Sequence, residues 1–210
     1  MHCAIAWNGS ASKTSLTQKA EPLRIAPHGF IEVNERAEAL RLRVVESPNQ
    51  DERPPGTAIE LLVVHAISLP PGEFGGSGVE ALFLNRLDPS QHPFYASIAG
   101  LRVSAHFFVR RDGSLTQFVP CAKRAWHAGE STWRGRARCN DFSIGIELEG
   151  SDEVSFEMAQ YETLATLTCA LRSAYPIADI AGHSDIAPGR KTDPGPRFDW
   201  ARYRALIRTS

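Results

Sequence analysis

The chain has 210 residues, 42% hydrophobic and 22% charged, with a formal net charge of -1. That length suits one good-sized domain with a buried core. The near-neutral charge excludes the basic footprint of a nucleic-acid or anionic-membrane binder, and no window approaches the roughly 18 apolar residues of a membrane span.

Residues 1–26, opening MHCAIAWNGSASKTSLTQKA, are rich in Ser, Thr, Ala and Lys and carry no apolar period. A flexible N-terminal tail is expected there, with the folded domain over 27–210. The tail lacks the basic segment and sustained apolar stretch of a secretory signal. Residues 29–56 alternate weakly and end in a polar, proline-bearing connector. The run AIELLVVHAISLPP (58–71) predicts a buried central strand stopped by Pro70 and Pro71. The following GEFGGSGVEALFLNRLD predicts a glycine turn and a short helix.

Asp112-Gly113 between two β-rich runs predicts a hairpin. NDFSIGIELEG (140–150) alternates and predicts another strand. Tyr161, Leu164, Thr168, Leu171 and Tyr175 recur at steps of three and four, which predicts a helix capped by Ser155 and ended by Pro176. IADIAGH predicts a short strand delivering His183, and FDWARYRALI a terminal amphipathic helix. The fold class is α/β: a single domain with a central mixed β-sheet flanked by helices. Cys3, Cys121, Cys139 and Cys169 form no CxxC pair, which fits reduced thiols and a cytoplasmic protein.

The chemistry-bearing residues fall at strand ends and on one stiff loop. His65 closes the apolar run ELLVVH, and His183 precedes GRKTDPGP, in which Asp193 stands between Thr192 and Pro194. Two imidazoles and a carboxylate match the three-ligand set of a catalytic zinc, which leaves a fourth position open. Taken singly, a strand histidine also reads as a satisfied core residue, and a Lys-Thr-Asp loop as a solvated one.

The blocks LLVVHAISLPPGEFGG, LRVSAHFFVRRDGSLTQFVP, KRAWHAG, RCNDFSIGIELEG and GHSDIAPGRKTDPGPRFDW occur in this order. Together they resemble the AmpD family of cytoplasmic 1,6-anhydro-N-acetylmuramyl-L-alanine amidases, part of a wider zinc amidase group that includes phage amidases and peptidoglycan recognition proteins. The similarity runs from about residue 28 to residue 208.

The resemblance implies one Zn2+ per chain, held by His65, His183 and Asp193. It implies catalytic roles for Glu147, as general base, and Lys191, as oxyanion partner. Strand alternation puts Glu149 on the same face as Glu147, and only the resemblance selects the latter. The implied reaction is hydrolysis of the amide between N-acetylmuramic acid and L-alanine in a small soluble anhydro-muropeptide, carried out in cell-wall recycling by a cytoplasmic monomer. Neither nucleic acid nor membrane is an expected partner.

Trp126 and His127 are expected in the pocket wall, and Arg102 and Arg138 against stem-peptide carboxylates. Ala66 stands where relatives commonly carry Asn. Two alternatives remain: a non-catalytic peptidoglycan-fragment binding module, and a zinc hydrolase that cuts another bond. His106 and the cysteines read as core; His2, His28 and His92 lie outside the matched motifs.

Overall fold

The computed structural model describes residues 21–209. Helix α1 (Glu35–Ala39) comes first, its N-cap Asn34 side chain accepting from the Ala37 N–H at 3.0 Å. Short strands β1 (Arg43–Val44) and β2 (Gln50–Glu52) follow, then the seven-residue β3 (Leu61–Ile67). Helices α2 (Gly78–Phe83) and α3 (Pro93–Ser97) lead into the hairpin of β4 (Phe107–Val109) and β5 (Leu115–Gln117). Next come β6 (Lys123–Ala125), β7 (Thr132–Trp133) and β8 (Arg136–Ala137), and then the long β9 (Ser143–Glu149). The chain ends with α4 (Met158–Ala174), β10 (Asp179–Gly182), α5 (His183–Ile186) and α6 (Trp200–Thr209).

The main sheet has six strands in the order β1-β5-β4-β9-β3-β10. It is mixed, as expected: β4 and β5 run antiparallel, while β9 is parallel to both β3 and β4, and β10 is parallel to β3. Strand β3 lies inside the sheet, one position from its edge, with β10 covering its outer side.

Alternation along the strands sorts their side chains into two layers. Leu62 and Val64 of β3, Ile144, Ile146 and Leu148 of β9, and Phe107 and Val109 of β4 join one cluster with Tyr161, Leu164, Leu167 and Leu171 of α4 and Tyr203 of α6. The alternate residues Leu61 and Val63 lie in a separate cluster with Ala181 and Ile186. The helix stripe read from sequence is thus the core face of α4, and the Thr168 hydroxyl meets the Tyr203 hydroxyl at 2.6 Å.

Three local expectations change. Helix α4 starts after Glu157, whose N–H is met at 3.0 Å by the Gln160 side chain, so Ser155 lies before the cap. Residues 29–56 hold a helix as well as strands, because Asn34 supplies an N-cap that weak alternation hides. Residues 1–20 of the expected tail lie outside the described residues, but Leu23 and Ala26, also assigned to that tail, are buried, and Ile25 bridges to Ile31. Packed structure therefore begins before residue 27.

Leu62 has no exposed surface in the layer beneath α4. Leu62→Ala is expected to lower the unfolding free energy by about 2–5 kcal/mol, read as a shifted urea midpoint at unchanged slope. A loss below about 1 kcal/mol would contradict this packing.

Candidate active site

Strand register decides which polar side chains meet. His65 on β3 is the register partner of Glu147 on β9, so both occupy the sheet face opposite α4. Pairing of β10 with β3 runs to Gly182 opposite Val64, which delivers His183 beside His65. His183 is the first residue of α5, one step beyond the strand that was expected to carry it.

The stiff loop then doubles back, fixed by the Ser184 N–H donating to the Asp193 carbonyl at 2.8 Å. Gly182 makes room for this return, since a Cβ there would lie 2.8 Å from Cδ of Pro194. The many prolines and glycines of 182–196 thus shape a wall that carries Asp193 back onto the strand ends.

Three donor atoms converge. His65 Nδ1 and His183 Nδ1 are 2.9 Å apart, and Asp193 Oδ2 lies 3.2 Å from the first and 3.0 Å from the second. Both histidines are buried, and burial pushes the His65 imidazole down to about 4, so it is neutral near neutral pH. His183 Nε2 faces the Ala128 carbonyl at 3.2 Å. A carbonyl only accepts, so a neutral His183 carries its hydrogen on Nε2 and turns a lone pair toward the carboxylate. Such a cluster is repulsive unless a cation sits within it. On this observation the three residues fit one divalent ion, because edges near 3 Å match ligands each about 2.0–2.2 Å from a common centre.

Glu147 and Lys191 line the same cavity as His183 and Asp193. Glu147 is buried, and its Oε2 has no hydrogen-bond partner. Burial first, and then the Asp193 charge, push its carboxyl well above the usual range. Glu149, its rival by alternation, is occupied elsewhere: Oε1 accepts from the Gly75 N–H at 2.6 Å and from Arg110, and Oε2 from the Arg111 N–H at 3.1 Å. Of the two glutamates, Glu147 is the one with an unpartnered carboxyl oxygen, and it lines the cavity that the cluster borders.

A groove of about 480 Å³ runs past the centre, with Leu69, Phe94, Ile98 and Leu101 along it and Lys191 and Asp193 at the cluster. A second hollow of about 280 Å³ is lined by Arg102, Trp126, His127 and Arg190. Ala66 borders the groove. Arg138 is exposed, holds a left-handed backbone at φ 64°, pairs with Asp141 at 3.1 Å and lines neither space. His127 is buried, with both ring nitrogens engaged by His65 and Ser143. Burial also holds its imidazole well below the usual range.

Several supporting residues were not singled out from sequence. The half-buried Arg53 donates from its guanidinium to the carbonyls of Cys121, Asn140, Asp141 and Ser143 at 2.8–3.2 Å, tying down the start of β9. The Asn140 side chain accepts from the Ala128 N–H at 2.8 Å and the His127 N–H at 3.2 Å, and Arg190 donates to the Ala128 carbonyl at 2.7 Å. These are ordinary polar residues in an unpatterned stretch. The one local signal was Gly145, a glycine inside an apolar strand.

The chain thus sets a two-histidine, one-carboxylate cluster beside a groove on a mixed sheet. The family model of N-acetylmuramoyl-L-alanine amidase matches residues 55–196, and the chain belongs to that amidase family. Within the class it falls in the AmpD family. The Escherichia coli protein named 1,6-anhydro-N-acetylmuramyl-L-alanine amidase AmpD is 60% identical over 167 residues, covering 79% of this chain and 91% of the relative. A crystal structure of selenomethionine AmpD superimposes with a TM-score of 0.78 at 60% identity, over 79% of this chain and 94% of that one. The structure of AMPDH3 from Pseudomonas aeruginosa in complex with anhydromuramic pentapeptide reaches a TM-score of 0.54 at 27% identity, over 76% and 64%.

Asp193→Ala is expected to reduce retained divalent metal from about one ion per chain to below about a tenth of that, while Lys191→Ala keeps it. Elemental analysis after gel filtration reads this out; equal metal content in the two variants would contradict the geometry.

Proposed function

We propose that this amidase is a zinc enzyme that hydrolyses the amide between the lactyl carbonyl of (1,6-anhydro-)N-acetylmuramic acid and L-alanine in soluble muropeptides. The observation that carries the reading is the convergence of His65, His183 and Asp193 beside a buried carboxyl with an unpartnered oxygen. Two imidazoles with one carboxylate are a donor set suited to catalytic zinc. The substrate is supported by the anhydro-muropeptide names of close relatives and by the anhydromuramic pentapeptide bound to the Pseudomonas relative.

When bound, zinc supplies Lewis-acid polarisation of the scissile carbonyl and lowers the pKa of a water from about 15.7 to about 7. Glu147 Oε2 takes the proton of the attacking water and returns it to the departing alanine nitrogen. Its burial favours the protonated form of the carboxyl, which suits it to take up and hold the proton before passing it on. Lys191, two residues before Asp193, brings its ammonium to the oxyanion that develops on the carbonyl. The open groove past the cluster gives the substrate room, and Trp126 and Arg102 in the second hollow are its contacts in this reading. In this reading the enzyme is a monomer. The enzyme acts in the cytoplasm on fragments of the wall in recycling, and among the described residues no helix is long and apolar enough to cross a membrane.

Mass spectrometry of an anhydro-muropeptide digest tests the bond: an anhydro sugar and a free stem peptide are expected. Loss of acetate or of a terminal amino acid would sink the assignment, and binding without turnover would leave a peptidoglycan-fragment binding module. Chelation is expected to abolish turnover and zinc to restore it. Glu147→Gln is expected to lower kcat about 10²–10⁴-fold with KM little changed; retention of wild-type kcat would remove Glu147 from the mechanism.

A further inference from the structure

His65 turns only one ring nitrogen toward His183 and Asp193. The other, Nε2, lies 2.9 Å from Nδ1 of His127. Neutral imidazoles carry one ring hydrogen each, so one ring must donate in this contact and the other accept. The direction is set further along. His127 Nε2 lies 3.1 Å from Ser143 Oγ, and Ser143 Oγ donates to the Cys139 carbonyl at 2.6 Å. That carbonyl has no hydrogen to give, so it fixes the Ser143 hydroxyl hydrogen on its own side. Ser143 then offers His127 only a lone pair, and His127 carries its hydrogen on Nε2. Its Nδ1 is bare and accepts from Nε2–H of His65. The Nδ1 of His65 is left without a hydrogen, facing the cluster.

We infer that His127 and Ser143 are positioning residues for the metal centre, fixing His65 as the tautomer that presents an Nδ1 lone pair to the ion. The inference rests on the metal reading above and deepens it. One backbone segment serves both histidine ligands, since the His127 ring orients His65 while the next carbonyl, Ala128, orients His183.

The strand is cut to receive this ring. A Cβ on Gly145 would lie 2.4 Å from Cγ and 2.6 Å from Nδ1 of His127, so the imidazole occupies the side-chain space that β9 leaves open between Ser143 and Glu147. Glycine weakens a strand interior, and close approach of another group accounts for one here. Asn140 holds the same segment through the His127 and Ala128 N–H groups. Both ring nitrogens of His127 are taken by the protein, so where it lines the second hollow it offers a ligand its ring face and no free polar atom.

The test compares zinc dissociation constants, measured by competition with a chromophoric chelator, for wild type, His127→Leu and His127→Asn. Leucine removes the acceptor, and about 10–100-fold weaker zinc binding is expected. Asparagine returns an amide oxygen near the position of Nδ1 and is expected to recover most of the affinity. Zinc binding by His127→Leu as tight as wild type, or by His127→Asn as weak as by His127→Leu, would overturn the inference. Long-range ¹H–¹⁵N spectra of zinc-loaded wild type give a reading independent of any variant's folding. Hydrogens are expected on Nε2 of both His65 and His127; one on Nδ1 of His127 would also overturn it. Wild-type protein that binds no zinc would defeat the metal reading itself, whereas zinc binding indifferent to the residue at this position defeats only this step.

Discussion

Everything at the active site depends on the register of β3 against its two parallel neighbours. Side chains along a strand change face at every residue, so a slip of one position would send His65 into the layer under α4 and bring Val64 to the cluster. The same pairing sets Glu147 opposite His65 and brings His183 to the end of β10. Large apolar side chains on the α4 face make the slip costly, because Leu62, Val64, Ile144 and Ile146 are all fully buried there. Ordinary packing on one side of the sheet thus holds the chemistry on the other.

Collecting so many polar groups in a dry place requires each to have a stated partner. The chain meets this with carbonyl groups as fixed endpoints: Cys139 for the Ser143 hydroxyl, Ala128 for His183, and four carbonyls for the Arg53 guanidinium. Carbonyls hold no titratable hydrogen, so they give each contact a single direction. Glu147 departs from the rule with one buried oxygen left unpartnered, the feature on which its proposed role rests.

Much of this architecture is written in local sequence. The β-branched run before His65, the Asp112-Gly113 turn and the stripe from Tyr161 to Tyr175 each announce their element by period or turn chemistry, and each forms. The loop 182–196 was legible as a rigid wall, but His65, His183 and Asp193 were only one reading of their spacing beside a core histidine and a solvated loop, and the family resemblance selected them. Long-range roles were not legible. Nothing near Glu149 in the chain says that Gly75 and the 110–111 segment will occupy it, and nothing near His127 says that its ring will fill the gap at Gly145. The Asn34 and Glu157 caps were missed for a smaller reason: several polar residues near each helix start are competent to cap, and tertiary packing chooses among them.

The donors of the cluster are far apart along the chain: 118 residues separate His65 from His183, and 128 separate it from Asp193. The set is therefore complete only when β3, β10 and the returning loop 182–196 have all come together. Gathering the three donors is coupled to completion of the sheet, because each is carried in by a different pairing or loop return. An ion held by these three side chains would thus report closure of the whole sheet, not of any one local segment.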